Sequence, residues 1–450
     1  MTTQLAPRPT VAPPPAYTFP TPRTRVLGNG LTVEHYPSRS RLITLTLVTP
    51  AGTLAEPAGS EGIAIVAATL RDEGTARHTG EQFAAALDRI GASYETRVTD
   101  GATLAILQVP VAGLAPALGL LAETAMHATY PEDEFERVRA IVTDRANSAR
   151  LNPGMRANQV LHAACFRPED RASLPESGVA TSLKRLTRDD VAAFDRANLL
   201  PEQATLLVGG NVAPSALDDL LDETFSDWRG KDRRAVTTRT ADPASPRVIV
   251  VDRPGSVQTE IRLGLVGPGP SDSRYPALRV ATHVLGGSMN SRLSAVLREE
   301  KGYTYGVHGW LRSLSSRGQF MIATPVDTPS TGPAVADLVS IIETMRADGI
   351  TEAECSGAVG ELLLGAPLEL QTAAAVVNQR AMDIAQRLPA GWFNEHRAAL
   401  KQVSASSASA VFAGLVAPSA LSAAFVGDAE KIMPELEAVF GGSAITVEPF

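Results

Sequence analysis

A chain of 450 residues, 44% hydrophobic and 20% charged, is too long for one ordinary core and reads as two to three soluble globular domains. Its net charge of −8, with no basic stripe interleaved with aromatics, argues against a nucleic-acid binder. No run approaches the roughly 20 apolar residues of a membrane-spanning helix, and the two cysteines, Cys165 and Cys355, read as separate buried thiols rather than a disulfide.

In chain order, residues 1–22 form a proline-rich arm without the apolar centre of a signal peptide, which points to an extended arm and a cytoplasmic location. Thr24 to Glu34 reads as two short strands about Gly28-Asn29-Gly30, and Leu42 to Val48 as a buried strand ending at Pro50. Glu61 to Leu70 is apolar nearly all round, hence a buried helix. Glu81 to Ile90 is an amphipathic helix ended by Gly91, and Tyr94 to Val109 a hairpin turning at Asp100-Gly101. Helical spacing returns over Leu114 to Ala128, Pro131 to Leu151 and Arg188 to Asn198, the last with Thr187 and Asp190 as a reciprocal cap. A strand over Ala204 to Val208 and a helix over Ser215 to Phe225 close the first half.

Residues 229–246 are charged, polar and without an apolar period, which suits a linker between domains at 23–228 and 247–450. The second half repeats the first. The strands after Val248 and Glu260 restate the early ones, with Pro268 where Pro50 stood. Helices are predicted over Tyr275 to Leu285, Val335 to Asp348 and Thr351 to Leu364, with a strand over Gly318 to Pro325. The closing strand–turn–helix of Leu206 to Phe225 is answered by Ala423 to Phe440. The fold class expected is α+β: two homologous domains of roughly 220 residues, each a largely antiparallel sheet packed with helices.

The stretch Gly286 to Trp310 carries the chemistry. Met289, Leu293, Val296 and Leu297 predict a helix capped by Ser288 or Asn290 and ended at Lys301-Gly302, followed by a strand through Tyr303, Tyr305 and Val307. Arg298 offers a rigid fork of donors and Tyr305 a phenol able to donate to a carbonyl. Spacing alone leaves open a surface arginine and a half-buried tyrosine. A phosphate loop is disfavoured, since no Lys-Ser/Thr follows the glycines.

SRLSAVLREEKGYTYGV resembles the second-domain signature of the pitrilysin-like (inverzincin) peptidases, the bacterial relatives of mitochondrial processing peptidase. In that family an Arg and a Tyr seven residues apart hold the substrate backbone beside a zinc site. Arg298, Gly302 and Tyr305 match this pattern. The resemblance implies a clam-like half-chamber and a zinc motif, HxxEH, on a first-domain helix. Gly62-Ile63-Ala64 and Gly74-Thr75 frame the interval, but Ile65, Ala68 and Thr69 stand at the motif positions, and Arg145 at the downstream carboxylate ligand. The seven histidines never pair at ligand spacing; His308, close after Tyr305, is the one best placed to line a site.

The resemblance therefore implies no metal and no cofactor in this chain. It implies a subunit lending Arg298 and Tyr305 to an HxxEH-bearing partner, in a heterodimer that holds the zinc and cleaves peptides. The alternative it leaves is a non-catalytic structural or peptide-binding protein of the same fold. An enzyme of other chemistry finds no Ser-His-Asp or Cys-His arrangement in the sequence.

Overall fold

A computed structural model describes residues 17–230, 240, 242–314, 317–441 and 444–450. The first half runs β1 (Arg23–Val26), β2 (Thr32–Pro37), β3 (Leu42–Thr49), α1 (Ile63–Leu70), α2 (Gly80–Arg89), β4 (Ser93–Val98) and β5 (Thr103–Pro110). It continues through α3 (Leu114–Met126), α4 (Glu132–Leu151), α5 (Pro153–Cys165), α6 (Ala180–Leu183), α7 (Arg188–Asn198), β6 (Thr205–Gly210) and α8 (Pro214–Phe225). The second half has β7 (Val248–Asp252), β8 (Gln258–Pro268), α9 (Tyr275–Thr282), β9 (His308–Leu314), β10 (Arg317–Asp327), α10 (Thr331–Asp348) and α11 (Glu352–Glu369). Then come α12 (Ala373–Ala385), α13 (Trp392–Lys401), α14 (Ala405–Leu415), β11 (Ser422–Gly427), α15 (Ala429–Phe440) and β12 (Ile445–Pro449).

The two halves each build a six-stranded sheet, in the orders β1-β2-β6-β3-β5-β4 and β12-β7-β11-β8-β10-β9. Five positions correspond strand for strand. The long central pairs β3 with β5 and β8 with β10 run antiparallel, while β2 with β6, β7 with β11 and β7 with β12 pair parallel. The expected α+β pair of mostly antiparallel sheets is what the chain forms. The outermost strand differs: β1 precedes β2 in the chain and runs against it, whereas β12 comes last and runs with β7.

One face of each sheet is covered by its own helices, around Leu45, Leu107 and Leu121 in the first half and around Ile261, Phe320 and Phe412 in the second. The other face is covered by a helix from the opposite half. Val160, Leu161 and Ala164 of α5 pack with Ile249, Met321 and Ala424 of the second sheet. Val376, Val377 and Ala381 of α12 pack with Tyr36, Val48 and Leu207 of the first. Two glycines allow these close crossings. A Cβ on Gly209 of β6 would lie 2.7 Å from Val377 Cγ2, and one on Gly264 of β8 would lie 3.1 Å from Leu161 Cδ2.

A buried ion pair marks the α12 crossing. Arg380 Nε and Nη2 donate to the Glu34 carboxylate at 2.8 and 2.9 Å, Nη1 donates to the Leu388 carbonyl at 3.2 Å, and the Tyr36 hydroxyl donates to Glu34 at 2.9 Å. Both charges are therefore paired and further hydrogen-bonded out of water, the condition under which such a pair is tolerated.

The arm's described end is not loose. Phe19 is buried against Tyr36 and Phe393, and its backbone N–H and carbonyl are held by the Asn394 side chain at 2.8 and 3.2 Å. Residues 231–239 and 241 of the expected linker lie outside the described residues. Its far end is pinned to the first half, Pro243 pairing with Phe166 and the Ala244 N–H donating to the Cys165 carbonyl at 3.0 Å. Cys165 and Cys355 are free and buried. No helix among the described residues is long and apolar enough to cross a membrane.

Removing one member of the buried pair strands the other. Arg380→Met is expected to lower unfolding stability by about 3 kcal/mol or more in denaturant titrations. Because each half caps the other's sheet, both halves should unfold in one transition. An unchanged midpoint, or two resolved transitions, would contradict this.

Candidate active site

Helix α1 is set by a buried carboxylate. Glu56 accepts the N–H groups of Gly62 and Ala64 at 3.0 and 3.1 Å, at the end of the helix where such donors are unpaired. Burial raises the Glu56 pKa, and the Arg171 guanidinium, 2.8 Å away, acts against that rise. Gly62 holds a φ of 106°, a conformation a side chain would strain, and a Cβ there would meet Leu183 Cδ2 at 2.6 Å. At the other end Arg71 is buried in a bidentate pair with Asp195 at 2.8 and 2.9 Å, to which Tyr130 also donates at 2.7 Å.

This rigid frame presents Ile65 and Thr69 on the half-buried face of α1, with Ala68 buried beside them. Arg145 is exposed on α4. An aliphatic, a methyl, a hydroxyl and a guanidinium offer no imidazole or carboxylate, so these positions do not fit zinc. Among the described residues no group of three or more His, Cys, Asp or Glu is placed to hold a metal ion.

The repeat shows where polar groups stand instead. In α9 and its π-helical continuation (His283–Gly287), burial follows the pattern of α1, with Arg279 and His283 half-buried where α1 has Ile65 and Thr69. His283 Nε2 lies 3.0 Å from the Glu361 carboxylate of α11, the counterpart of α4, at ion-pair distance. Both line a cavity of about 610 Å³ walled by β9, α11 and α13, where Arg279 Nη1 donates to His396 Nε2 at 2.9 Å. Burial, then the neighbouring Arg279, lowers the His396 pKa to about 3, so this imidazole is neutral. Sequence reading had no reason to single out Arg279, His283 or Glu361; aligning the burial of the two halves finds them.

The 298–305 stretch departs from the expected helix. It winds as a second π-helical segment, Ser294–Glu300, closed by the Lys301 N–H donating to the Val296 carbonyl at 2.9 Å. The cap is Ser291, whose Oγ accepts from the Ser294 N–H at 3.4 Å, and not Ser288 or Asn290. Leu293 and Leu297 are buried, and Arg292 anchors the segment to Glu354 at 2.7 and 2.8 Å. Gly302 takes a φ of 64°, as the predicted corner requires.

The strand expected from Tyr303 begins only at His308, which is exposed on the edge strand β9. Before it, Thr304 Oγ1 closes a local turn with Gly306, and the Thr324 hydroxyl donates to the Gly306 carbonyl at 3.1 Å. That turn throws Tyr305 outward, to 96% exposure. Arg298 is partly exposed, its Nη1 3.2 Å from Met289 Sδ and its Nε 3.6 Å from Glu299. No hydrogen bond or ion pair joins Arg298 to Tyr305 among the described residues. The pair is pinned at its base and open at its tips.

Two family models match the chain: insulinase (peptidase family M16) over residues 33–174, and the peptidase M16 inactive domain over residues 185–362. The chain belongs to peptidase family M16. An uncharacterized zinc protease of Mycobacterium tuberculosis is 27% identical over 300 residues, spanning 66% of this chain and 68% of that one. An uncharacterized zinc protease of Bacillus subtilis is 23% identical over 63% of this chain and 68% of its own. Among solved structures, the peptidase M16 inactive domain from Pseudomonas fluorescens superposes with a TM-score of 0.81 at 21% identity, covering 90% of this chain and 98% of that one. A Helicobacter pylori protease gives 0.84 at 19% identity over 91% and 100%. A chain of complex III2 from Candida albicans gives 0.77 at 15% identity over 91% and 97%. This M16 chain has the family's fold, and Ile65, Ala68 and Thr69 of its first-half helix α1 offer no zinc ligand of the imidazole or carboxylate kind.

Elemental analysis of the isolated chain is expected to find no stoichiometric zinc; one tightly held ion per chain would contradict that reading of Ile65, Ala68 and Thr69. A second expectation concerns Asp383, on the wall of the 610 Å³ cavity. Burial raises its pKa from 3.8 to about 6, with Gln379 and Arg380 acting against the rise. The folded chain therefore keeps this proton to higher pH than the unfolded chain. Ionising Asp383 costs stability, by up to about 3 kcal/mol, absent below roughly pH 4 and complete above roughly pH 6. Wild type should lose stability relative to Asp383→Asn as pH rises through that window. A difference constant with pH would contradict it.

Proposed function

We propose that this chain is the non-zinc subunit of a heterodimeric M16 peptidase, supplying Arg298 and Tyr305 to the site of an HxxEH-bearing partner. One combination carries the reading: α1, braced at both ends, bears Ile65, Ala68 and Thr69 where the resemblance expects the zinc motif, while Tyr305 stands outward at 96% exposure and Arg298 is partly exposed. A side chain this exposed, with no hydrogen bond to any described residue, suits a role in another's cleft.

In this reading the partner holds the substrate backbone as an added strand, leaving outward carbonyls in need of donors. Arg298 holds one of them. Tyr305 donates near the scissile carbonyl as its oxygen gains charge, where a placed donor contributes most. The chain acts in the cytoplasm, binds no cofactor of its own, and takes peptides as substrates. A second reading, a structural or peptide-binding core protein without cleavage, draws on the similarity to a chain of complex III2.

The test is peptide cleavage by the reconstituted pair, with dimer content checked by gel filtration. Tyr305→Phe should lower kcat roughly a hundredfold with little change in KM, as for loss of a transition-state donor. Arg298→Ala should raise KM as well. Full activity from an intact dimer carrying both substitutions would refute the role of this stretch. A stable assembly that cleaves nothing would favour the structural reading.

A further inference from the structure

On the first half, away from the 298–305 stretch, three arginines line one cavity. They are Arg188 and Arg196 of α7 and Arg229, just beyond α8; the cavity is about 270 Å³, with the Trp228 indole and Met126 among its apolar walls. Trp228 is 3% exposed, so this wall is fixed. The only acid among the described lining residues is Asp195, and both its oxygens are already taken, by Arg71 at 2.8 and 2.9 Å and by the Tyr130 hydroxyl at 2.7 Å.

The guanidiniums are left largely uncompensated. Among the described residues Arg188 Nε is buried with no hydrogen-bond partner, although the side chain as a whole is 42% exposed, and its Nη2 reaches only the exposed Asp189 at 3.4 Å. Arg196 has no hydrogen bond or ion pair among the described residues. Arg229 donates to the backbone carbonyls of Ser226 and Trp228, which are neutral. Arginine stays charged at every physiological pH, so the cavity is cationic on a chain whose net charge is −8.

We infer that this cavity binds a small phosphorylated anion. Planar forks with several donors each match phosphate oxygens in pairs, and the alternative of leaving a buried Nε unpaired is costly. The volume suits a small molecule rather than a macromolecular segment, and the indole gives it an apolar wall.

The experiment is calorimetric titration of the intact chain with inorganic pyrophosphate, and separately with citrate as a carboxylate of comparable charge. The expected result is one saturable pyrophosphate site per chain, bound more tightly than citrate. Arg196→Gln with Arg229→Gln should weaken it at least about tenfold, since hydrogen bonds to charged groups are being removed. Both side chains are exposed, and an unchanged circular dichroism spectrum and melting temperature confirm the fold. Arg188→Gln alone should weaken binding in the same direction. Absence of saturable binding, binding unaffected by the double substitution, or citrate binding as tightly as pyrophosphate would each overturn the assignment.

Discussion

The structure depends on an exchange: each half gives one helix to cover the other half's sheet. Without α5 the second sheet would expose Ile249, Met321 and Ala424, and without α12 the first would expose Tyr36, Val48 and Leu207. Neither half is therefore a complete folding unit. Gly209 and Gly264 let the crossing helices approach the strands, and the Glu34–Arg380 pair fixes one crossing with directional bonds. Apolar burial supplies the drive, and the ion pair restricts which arrangement satisfies it.

A scaffold tied in this way holds its surface features still. Helix α1 is braced at both ends by buried charge, Glu56 with Arg171 and Arg71 with Asp195, though nothing on its half-buried face can bind a metal. The 298–305 stretch is braced too, by Leu293, Leu297 and the Arg292–Glu354 pair. Its π-helical segment and the Thr304 turn replace a smooth helix and strand, and the turn brings Tyr305 to the surface.

Much of this was legible in the sequence. The capping box at Thr187, the hairpin at Asp100-Gly101, the corner at Gly302 and the closing strand–turn–helix repeats are local chemistry, and each stands where it was read. The exchanged helices were not read. Their buried stripes are largely small residues, such as Ala157 and Ala164 or Ala373 and Ala381, which give weak periodic contrast, and their partners lie in the other half of the chain. The π-helical winding was invisible because Leu293 and Leu297 satisfy an ordinary helical period equally well. The alternation Tyr303, Tyr305, Val307 looked like a strand, but Thr304 satisfies the backbone locally before any ladder forms. Of the site, the residue types at 65, 68, 69, 298 and 305 were legible. The polar counterpart at Arg279, His283 and Glu361 required three-dimensional correspondence between the repeats.

The central claim is that the chain completes another subunit's site. Its most direct measurement is hydrolysis of a peptide library by this chain alone, by an HxxEH-bearing M16 subunit from the same cell alone, and by the two mixed at equal concentration. The account predicts cleavage that is absent with the first, weak or absent with the second, and strong only in the mixture. Equal activity from the HxxEH subunit with and without this chain would contradict it.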